Sequence, residues 1–244
     1  MSKEMLKFTN VKKKFVEKEV LQGIDLTVET GEFFAFVGAN GQGKTTLMKG
    51  MLDFLHMDGG EIEIAGKSHR STEARSSLAY LPERFNPPYF LTGRSFLQYM
   101  MKLHQRPYHE SVVLTMLDHL DLDKAALDKP VRSFSKGMTQ KLGLAGCFLS
   151  EKPLLLLDEP MSGLDPKARV LLKRQLLRMK QAGYSLFFST HLLADVEELC
   201  DRMAILHNGH LRFVGSPKEC RKQFPGQSLE ESFINCIDAK PNIF

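Results

Sequence analysis

A chain of 244 residues, 43% of them hydrophobic, is long enough for one compact domain with a sizeable core. Its net charge of +4 is mild, and the absence of a long lysine and arginine cluster argues against a nucleic-acid or lipid-binding arm. The apolar runs are far shorter than the roughly 20 residues that span a bilayer, and the charged first residues are not typical of a signal peptide, so we expect a cytoplasmic protein.

The four cysteines are far apart and form no C-x-x-C pair. This spacing predicts neither a disulfide framework nor a thiolate metal site. We expect reduced and mostly buried thiols.

The first predicted elements are strands. Residues 5–9 and 19–28 alternate apolar and polar side chains, which predicts an antiparallel sheet. Phe15 lies between the two runs, and it has two possible roles. Its ring could stack on a nucleotide base, or it could be an ordinary core residue.

A phosphate-binding loop follows. The apolar run at 33–37 is typical of a buried strand, and residues 47–52 are typical of a helix. Between them the chain reads Gly38-Ala39-Asn40-Gly41-Gln42-Gly43-Lys44-Thr45-Thr46. The glycines let successive backbone N–H groups converge on a β-phosphate. We expect Lys44 to bridge the β- and γ-phosphates and the Thr45 hydroxyl to hold Mg²⁺.

Beyond the loop, Asp58-Gly59-Gly60 is predicted as a turn and 61–64 as a strand. The strand at 78–83 ends at a proline and exposes the Glu83 carboxylate. Residues 84–90 are rich in aromatic residues and proline, which predicts a loop. Its aromatic side chains could form a docking surface or could tuck inward beneath the loop.

The chain then becomes helical. Residues 94 to about 127 carry apolar residues at intervals of three and four, with no recognisable chemistry. Ser135 precedes a second apolar helical run, and serine in that position is a good helix cap.

Two carboxylates end the apolar run at 154–157, which is typical of a strand buried on both faces of a parallel sheet. We expect Asp158 to complete the Mg²⁺ shell through water and Glu159 to orient or deprotonate the attacking water.

Residues 162–166 are predicted to form a turn that opens a helix running to about 181. The strand at 185–189 leads to His191, on the face of such sheets where ligands bind, so this side chain could donate to the γ-phosphate. Asn208-Gly209 predicts a β-hairpin, and the hairpin explains the spacing of the two histidines beside it without a metal site.

The order of these motifs resembles that of the nucleotide-binding domain of an ABC transporter over nearly the whole chain. By that resemblance Phe15 is the adenine-stacking aromatic, and Gly38 to Thr46 form the Walker A loop. Glu83 would stand at the Q-loop position, and Ser135 to Met138, including Gly137, would form the signature motif. Asp158 would be the Walker B aspartate, Glu159 the catalytic glutamate, Asp165 the D-loop aspartate and His191 the switch histidine.

The resemblance implies a fold class and a domain organisation. We expect an α/β P-loop NTPase (RecA-like) core with a mostly parallel sheet, an amino-terminal antiparallel β subdomain and an inserted helical subdomain. The single domain would cover 1–244, with the helical subdomain at about 84–150 and a short helical carboxyl-terminal extension at about 216–244. ATP and Mg²⁺ would be the cofactors, with Thr45, Glu83 and Asp158 at the metal.

The resemblance also implies partners. By the resemblance, two such domains would pair head to tail, with two ATP molecules between the Walker A loop of one and the signature helix of the other. The second domain could be identical or different, and a separate membrane-spanning permease would hold the pair at the inner face of the cell membrane.

Two departures from the common pattern matter: Glu83 replaces a glutamine, and Lys136 places a charge in the signature motif. The Ser-Lys-Gly-Met string, the glutamate at the Q-loop position and residues 229–234 resemble the ATPases of ABC-2 type export systems. We therefore expect an ATPase that powers export. The alternative is a soluble ABC-type ATPase acting on ribosomes or nucleic acid. A regulatory subunit with an inactive site is disfavoured because Lys44, Asp158, Glu159 and His191 are all present.

Overall fold

The structure is a computed structural model that describes residues 4–239. An antiparallel sheet of four strands forms its amino-terminal layer, in the order β2-β1-β4-β5. The strands are β1 (Glu4–Phe15), β2 (Lys18–Glu29), β4 (Gly59–Ile64) and β5 (Lys67–Ser68). The predicted antiparallel pair is confirmed, and both strands are longer than the alternating runs indicated.

The predicted turn at Gly59-Gly60 is wrong, because both residues belong to β4. Gly60 has a φ of 80°, and a Cβ there would lie 2.3 Å from the Asn10 carbonyl oxygen. The glycine pair therefore allows two backbones to approach closely inside a sheet, rather than reversing the chain.

A second sheet of six strands has the order β10-β9-β3-β8-β7-β6. Its strands are β3 (Phe33–Val37), β6 (Leu78–Leu81), β7 (Leu154–Asp158), β8 (Ser185–Thr190), β9 (Arg202–His207) and β10 (His210–Gly215). All neighbouring pairs are parallel except β9 and β10, which form the predicted hairpin. Asn208 and Gly209 both have positive φ, at 48° and 81°, as a tight two-residue turn requires.

The central strand β3 separates two parts of the hydrophobic core. Its even-numbered residues Phe34 and Phe36 pack with Phe187 of β8, with ring centroids 5.8 and 5.6 Å apart, on the side of the antiparallel sheet. Its other residues face the helices on the opposite side. Because β3 is buried on both faces, the loop that follows it starts from a rigid position.

The helices cover the parallel sheet and fill the predicted insertion. They are α1 (Lys44–Met51), α2 (Thr72–Arg75), α3 (Gly93–Leu103), α4 (Glu110–His119), α5 (Lys136–Leu149), α6 (Pro166–Gln181), α7 (Leu193–Leu199), α8 (Pro217–Gln223) and α9 (Leu229–Asp238). Two 3-10 turns, Lys124–Leu127 and Val131–Ser133, precede α5. The insertion is helical as predicted, and the mixed fold with its two sheets confirms the predicted α/β class.

The carboxyl-terminal extension contains α8 and α9, which pack on each other and on α7 and β10. Residues 1–3 and 240–244 of the predicted single domain lie outside the described residues. Within residues 4–239, no helix combines the length and the apolar character needed to cross a bilayer.

Candidate functional site

The phosphate loop connects β3 to α1 at the carboxyl edge of the parallel sheet. Gly41 and Gly43 have φ values of 78° and 111°, which lie in the left-handed region that favours glycine. Gly38 is required for a different reason, since a Cβ there would lie 2.7 Å from the carbonyl oxygen of Leu206. Asn40 is exposed at the tip of the loop.

Lys44, the first residue of α1, is only 6% exposed. Its ammonium donates a hydrogen bond to the Gly38 carbonyl at 2.6 Å, within its own loop. The same Nζ lies 3.5 Å from Oε1 of Glu159. The loop thus holds a positive charge at its centre, where a phosphate would bind. Thr46 follows in the first turn of α1.

Thr45 and Asp158 lie on neighbouring segments and are joined directly. The Thr45 hydroxyl donates to Oδ2 of Asp158 at 2.8 Å. A hydroxyl and a carboxylate in contact at the edge of the sheet are the hard oxygen donors that Mg²⁺ prefers, so these two residues fit the ion. Burial, and to a lesser extent the Asp158 carboxylate, raise the pKa of the neighbouring Tyr80.

Glu159 has an unusual environment. It is 8% exposed, and its φ of 48° is rare for a residue other than glycine. Among the described residues, its Oε1 has no hydrogen-bond partner. Its Oε2 lies 3.0 Å from Nδ1 of His191, whose side chain is exposed at the end of β8. The carboxylate thus presents one buried oxygen that accepts no hydrogen bond from these residues and lies 3.5 Å from the Lys44 ammonium, and this geometry suits the activation of a water molecule.

Ser189 is a site residue that the sequence analysis missed. It faces Asp158 in the parallel register of β7 and β8, and its hydroxyl donates to Oδ1 of Asp158. The same hydroxyl accepts a hydrogen bond from the Glu159 backbone N–H at 3.0 Å. One serine therefore fixes both carboxylate residues. A polar residue at the end of a core strand was the only available signal.

Phe15, the last residue of β1, is 43% exposed, which excludes the core interpretation. The Lys13 ammonium lies 5.2 Å from the centroid of the ring and is held by Asp58 at 2.9 Å. This hydrogen bond lowers the pKa of the Asp58 carboxyl. The ring has an exposed surface available for stacking, so its role with adenine stays a prediction.

The signature residues lie in a different part of the structure. The Ser135 side chain caps α5 by accepting from the Met138 N–H at 3.2 Å, and Gly137 follows in the first turn. Glu83 lies in a cleft beside the same turn. Among residues 4–239, no hydrogen bond or ion pair joins any of these three to the phosphate loop, Asp158 or Glu159. Their predicted roles remain predictions.

Asp165 caps α6, and its carboxylate accepts from the Ala168 N–H at 2.9 Å. This hydrogen bond lowers the pKa of the Asp165 carboxyl. The cap alone accounts for the aspartate in this structure, and its predicted place near a nucleotide stays a prediction.

The fold and the loop together define a P-loop nucleotide-binding protein. Comparison with known proteins narrows this class to one family. A family model described as ABC transporter matches residues 21–162. A solved structure described as the ATP binding subunit of an ABC transporter superposes with a TM-score of 0.86 at 31% identity, covering 95% of this chain and 99% of that one.

Curated relatives point to the same family. An uncharacterized ABC transporter ATP-binding protein of Synechocystis is 39% identical over 82% of this chain. The chain spans only 58% of that relative's length, and 60% of a second one from Nostoc. The Nod factor export ATP-binding protein I of Burkholderia lata is 32% identical, over 94% of this chain and 73% of its own length. The chain belongs to the ABC transporter family.

Proposed function

We propose that this protein hydrolyses ATP to power a membrane exporter through a separate permease subunit. The observation that carries the proposal is the buried Oε1 of Glu159, which accepts no hydrogen bond within residues 4–239 and lies beside the Lys44 ammonium and next to the Thr45–Asp158 pair. A buried oxygen that accepts no hydrogen bond costs about 1–3 kcal/mol. Such a cost is expected where a water molecule is to be bound and activated.

The binding step follows from the loop. The Lys44 ammonium would exchange its bond to the Gly38 carbonyl for the β- and γ-phosphate oxygens, while the loop N–H groups and the amino-terminal end of α1 bind the β-phosphate. Phe15 would stack on the adenine ring. In this step Lys44 would gain the phosphate oxygens as partners, while Thr45 and Asp158 would gain Mg²⁺.

Mg²⁺ would be held by Thr45 and Asp158, and when bound it would neutralise charge on the phosphates. The protein's own residues account for the remaining steps. Glu159 would accept a proton from the attacking water on its Oε1, while the Ser189 hydroxyl holds the Glu159 backbone in place. His191, already in contact with Oε2, would orient the carboxylate and donate to the γ-phosphate.

The export direction and the partners are also part of this proposal. Relatives named as Nod factor export ATP-binding proteins support export. A second nucleotide-binding domain would complete the site by placing its Ser135 and Gly137 against the γ-phosphate, so that ATP closes the dimer and hydrolysis reopens it. The permease would hold the pair at the inner membrane face.

The loop at 84–90 supports a docking role for only some of its aromatic residues. Tyr89 and Phe90 are 69% and 71% exposed and pack edge to face on each other. Phe85 turns inward and packs on Phe96 of α3. The inward interpretation is therefore right for Phe85, and docking by Tyr89 and Phe90 stays a proposal. The exposed pair is the surface that we assign to the permease.

The decisive experiment is to purify the tagged Glu159→Gln chain from native membranes in mild detergent with ATP and Mg²⁺, and to identify what accompanies it. We expect a stoichiometric integral membrane protein whose recovery falls when Tyr89→Ser is added. Recovery of ribosomes or of a soluble complex would contradict the exporter and leave the ATPase chemistry standing.

A further inference from the structure

Three charged side chains that have no ion-pair partner among residues 4–239, Glu83, Arg84 and Lys136, line one cleft at the start of α5. The cleft has a volume of about 440 Å³, and its walls include Glu83, Arg84, Phe85, Lys136, Gln140 and Ser162. Glu83 and Lys136 are both exposed. Across the described range 4–239, neither of these two charges has an ion-pair partner, although 17 ion pairs form elsewhere. Opposite charges that face one cleft attract each other as the cleft narrows.

The Lys136 side chain packs against the turn that follows Glu159. Its aliphatic stem lies along Gly163, since a Cβ on that glycine would be 2.9–3.1 Å from three carbons of the lysine stem. One turn later, the buried amide of Gln140 donates to the Pro160 carbonyl at 3.1 Å. The first turns of α5 therefore contact the turn after Glu159 at two points. A displacement of Lys136 would be transmitted to that turn and so act close to Glu159.

The segment that carries Glu83 packs on α5 through Phe85, on the other side of the cleft. Phe85, two residues further on, packs where a Cβ on Gly143 would lie 2.8 Å from its ring. Gly143 is two helical turns beyond Lys136, roughly 10 Å along the axis. The backbone from Phe85 to Glu83 can cover up to about 7 Å of that distance. The long stem of Lys136 can span the few ångströms that remain along the axis, so an ion pair needs no unfolding of either segment.

We propose that Glu83 and Lys136 form an ion pair when the cleft narrows in the ATP-bound dimer, and that the pair is a positioning device for Glu159. The inference rests on the proposed function and assigns Glu83 to this pair rather than to Mg²⁺. Glu83 immediately precedes the exposed 84–90 loop, and Lys136 contacts the turn after Glu159. The pair therefore connects the surface assigned to the permease with the residue assigned to activate water.

Charge reversal tests the pair. In the full chain assembled with its permease, Glu83→Lys and Lys136→Glu should each lower kcat for ATP by about two- to fivefold, the range expected for an exposed ion pair. The KM for ATP and the Mg²⁺ concentration at half-maximal rate should not change. The double reversal, E83K/K136E, should restore kcat to within about twofold, because it recreates the pair with its charges exchanged.

Lys124→Glu is the matched control, since it reverses an exposed charge whose one ion pair within residues 4–239 is with Asp118 of the same helical insertion. It should leave kcat unchanged. If the two reversals multiply instead of compensating, the ion pair is excluded. If Glu83→Lys raises the Mg²⁺ requirement and Lys136→Glu does not correct it, Glu83 is a metal ligand and the inference is wrong. Failure of the proposed function would look different, since the unmodified chain would then show no hydrolysis that depends on Glu159.

Discussion

Replacement of Glu159 by glutamine is the most direct test of the site. The two side chains have nearly the same size, so the buried pocket keeps its shape. The amide cannot accept a proton from water as the carboxylate does, and it presents an N–H₂ group at one of its two ends. Lys44 would lose the charge 3.5 Å away but keep its hydrogen bond to the Gly38 carbonyl. The change therefore removes the proposed base and leaves the phosphate loop intact.

The expected magnitude follows from the role of Oε1. A positioned general base contributes about 10²- to 10⁴-fold to the rate, or about 3–5 kcal/mol in the barrier. The effect on stability should be small, because two contributions oppose each other. The Lys44 ion pair is lost, while the cost of burying a carboxylate whose Oε1 accepts no hydrogen bond disappears. We expect the free energy of unfolding to change by less than about 2 kcal/mol.

The assay is phosphate release in a single turnover, together with a titration of ATP binding at equilibrium. Glu159→Gln should reduce the rate at least about a hundredfold while its Kd for ATP stays within about threefold of the unmodified chain, since no phosphate contact is removed. Glu61→Gln, an exposed glutamate on β4, is the matched control and should change neither quantity. A rate within tenfold of the unmodified chain would refute the assignment of Glu159 as the base.

Four further predictions concern the loop, the fold and the docking surface. Lys44→Ala should weaken ATP binding at least about tenfold by removing a charge-assisted contact, and unchanged affinity in the titration would disprove the phosphate-loop assignment. Gly38→Ala should cost about 1–3 kcal/mol in chemical denaturation, since its Cβ would meet the Leu206 carbonyl at 2.7 Å, and a neutral result would show that the loop relaxes freely. Burial lowers the pKa of the His69 imidazole, so the contribution of the neutral ring to stability is present above the ordinary histidine pKa and is lost as the pH falls through the lower folded value. His69→Gln should therefore reduce the loss of unfolding free energy between pH 7.5 and 5.5. Parallel plots of unfolding free energy against pH for the two proteins would contradict this. Tyr89→Ser should reduce recovery of the permease several-fold without changing ATP affinity, because the side chain is exposed; full recovery would remove this residue from the docking surface.

Much of the site was predictable because its signals are local. The phosphate loop is continuous in sequence, and its neighbours on both sides have the apolar run of a buried strand and the start of a helix. The two acids at the end of β7 follow the same logic, since polar residues that end a buried strand must lie at its edge. The hairpin turn at Asn208-Gly209 is determined by the positive φ of both residues.

The position of Phe85 could not be predicted, because aromatic content alone does not distinguish an inward ring from an exposed one. Phe85 turns inward because Gly143, 58 positions away, leaves room for its ring on α5, whereas Tyr89 and Phe90 have no such recess and stay exposed. Composition describes a segment, while side-chain burial depends on what packs against it.

The sequence by itself determined the order of strands, loop and helices and the placement of Lys44, Thr45, Asp158 and Glu159 at the edge of the parallel sheet, because turn geometry and hydrophobic period act over a few neighbouring residues. The tertiary structure alone decided which distant residues complete the site. Ser189 reaches Asp158 only through the parallel register of β7 and β8, and Glu83 and Lys136 line one cleft only because α5 packs beside the strand end. Register and helix packing are set by the burial of the whole core, so no local pattern in the sequence contains them.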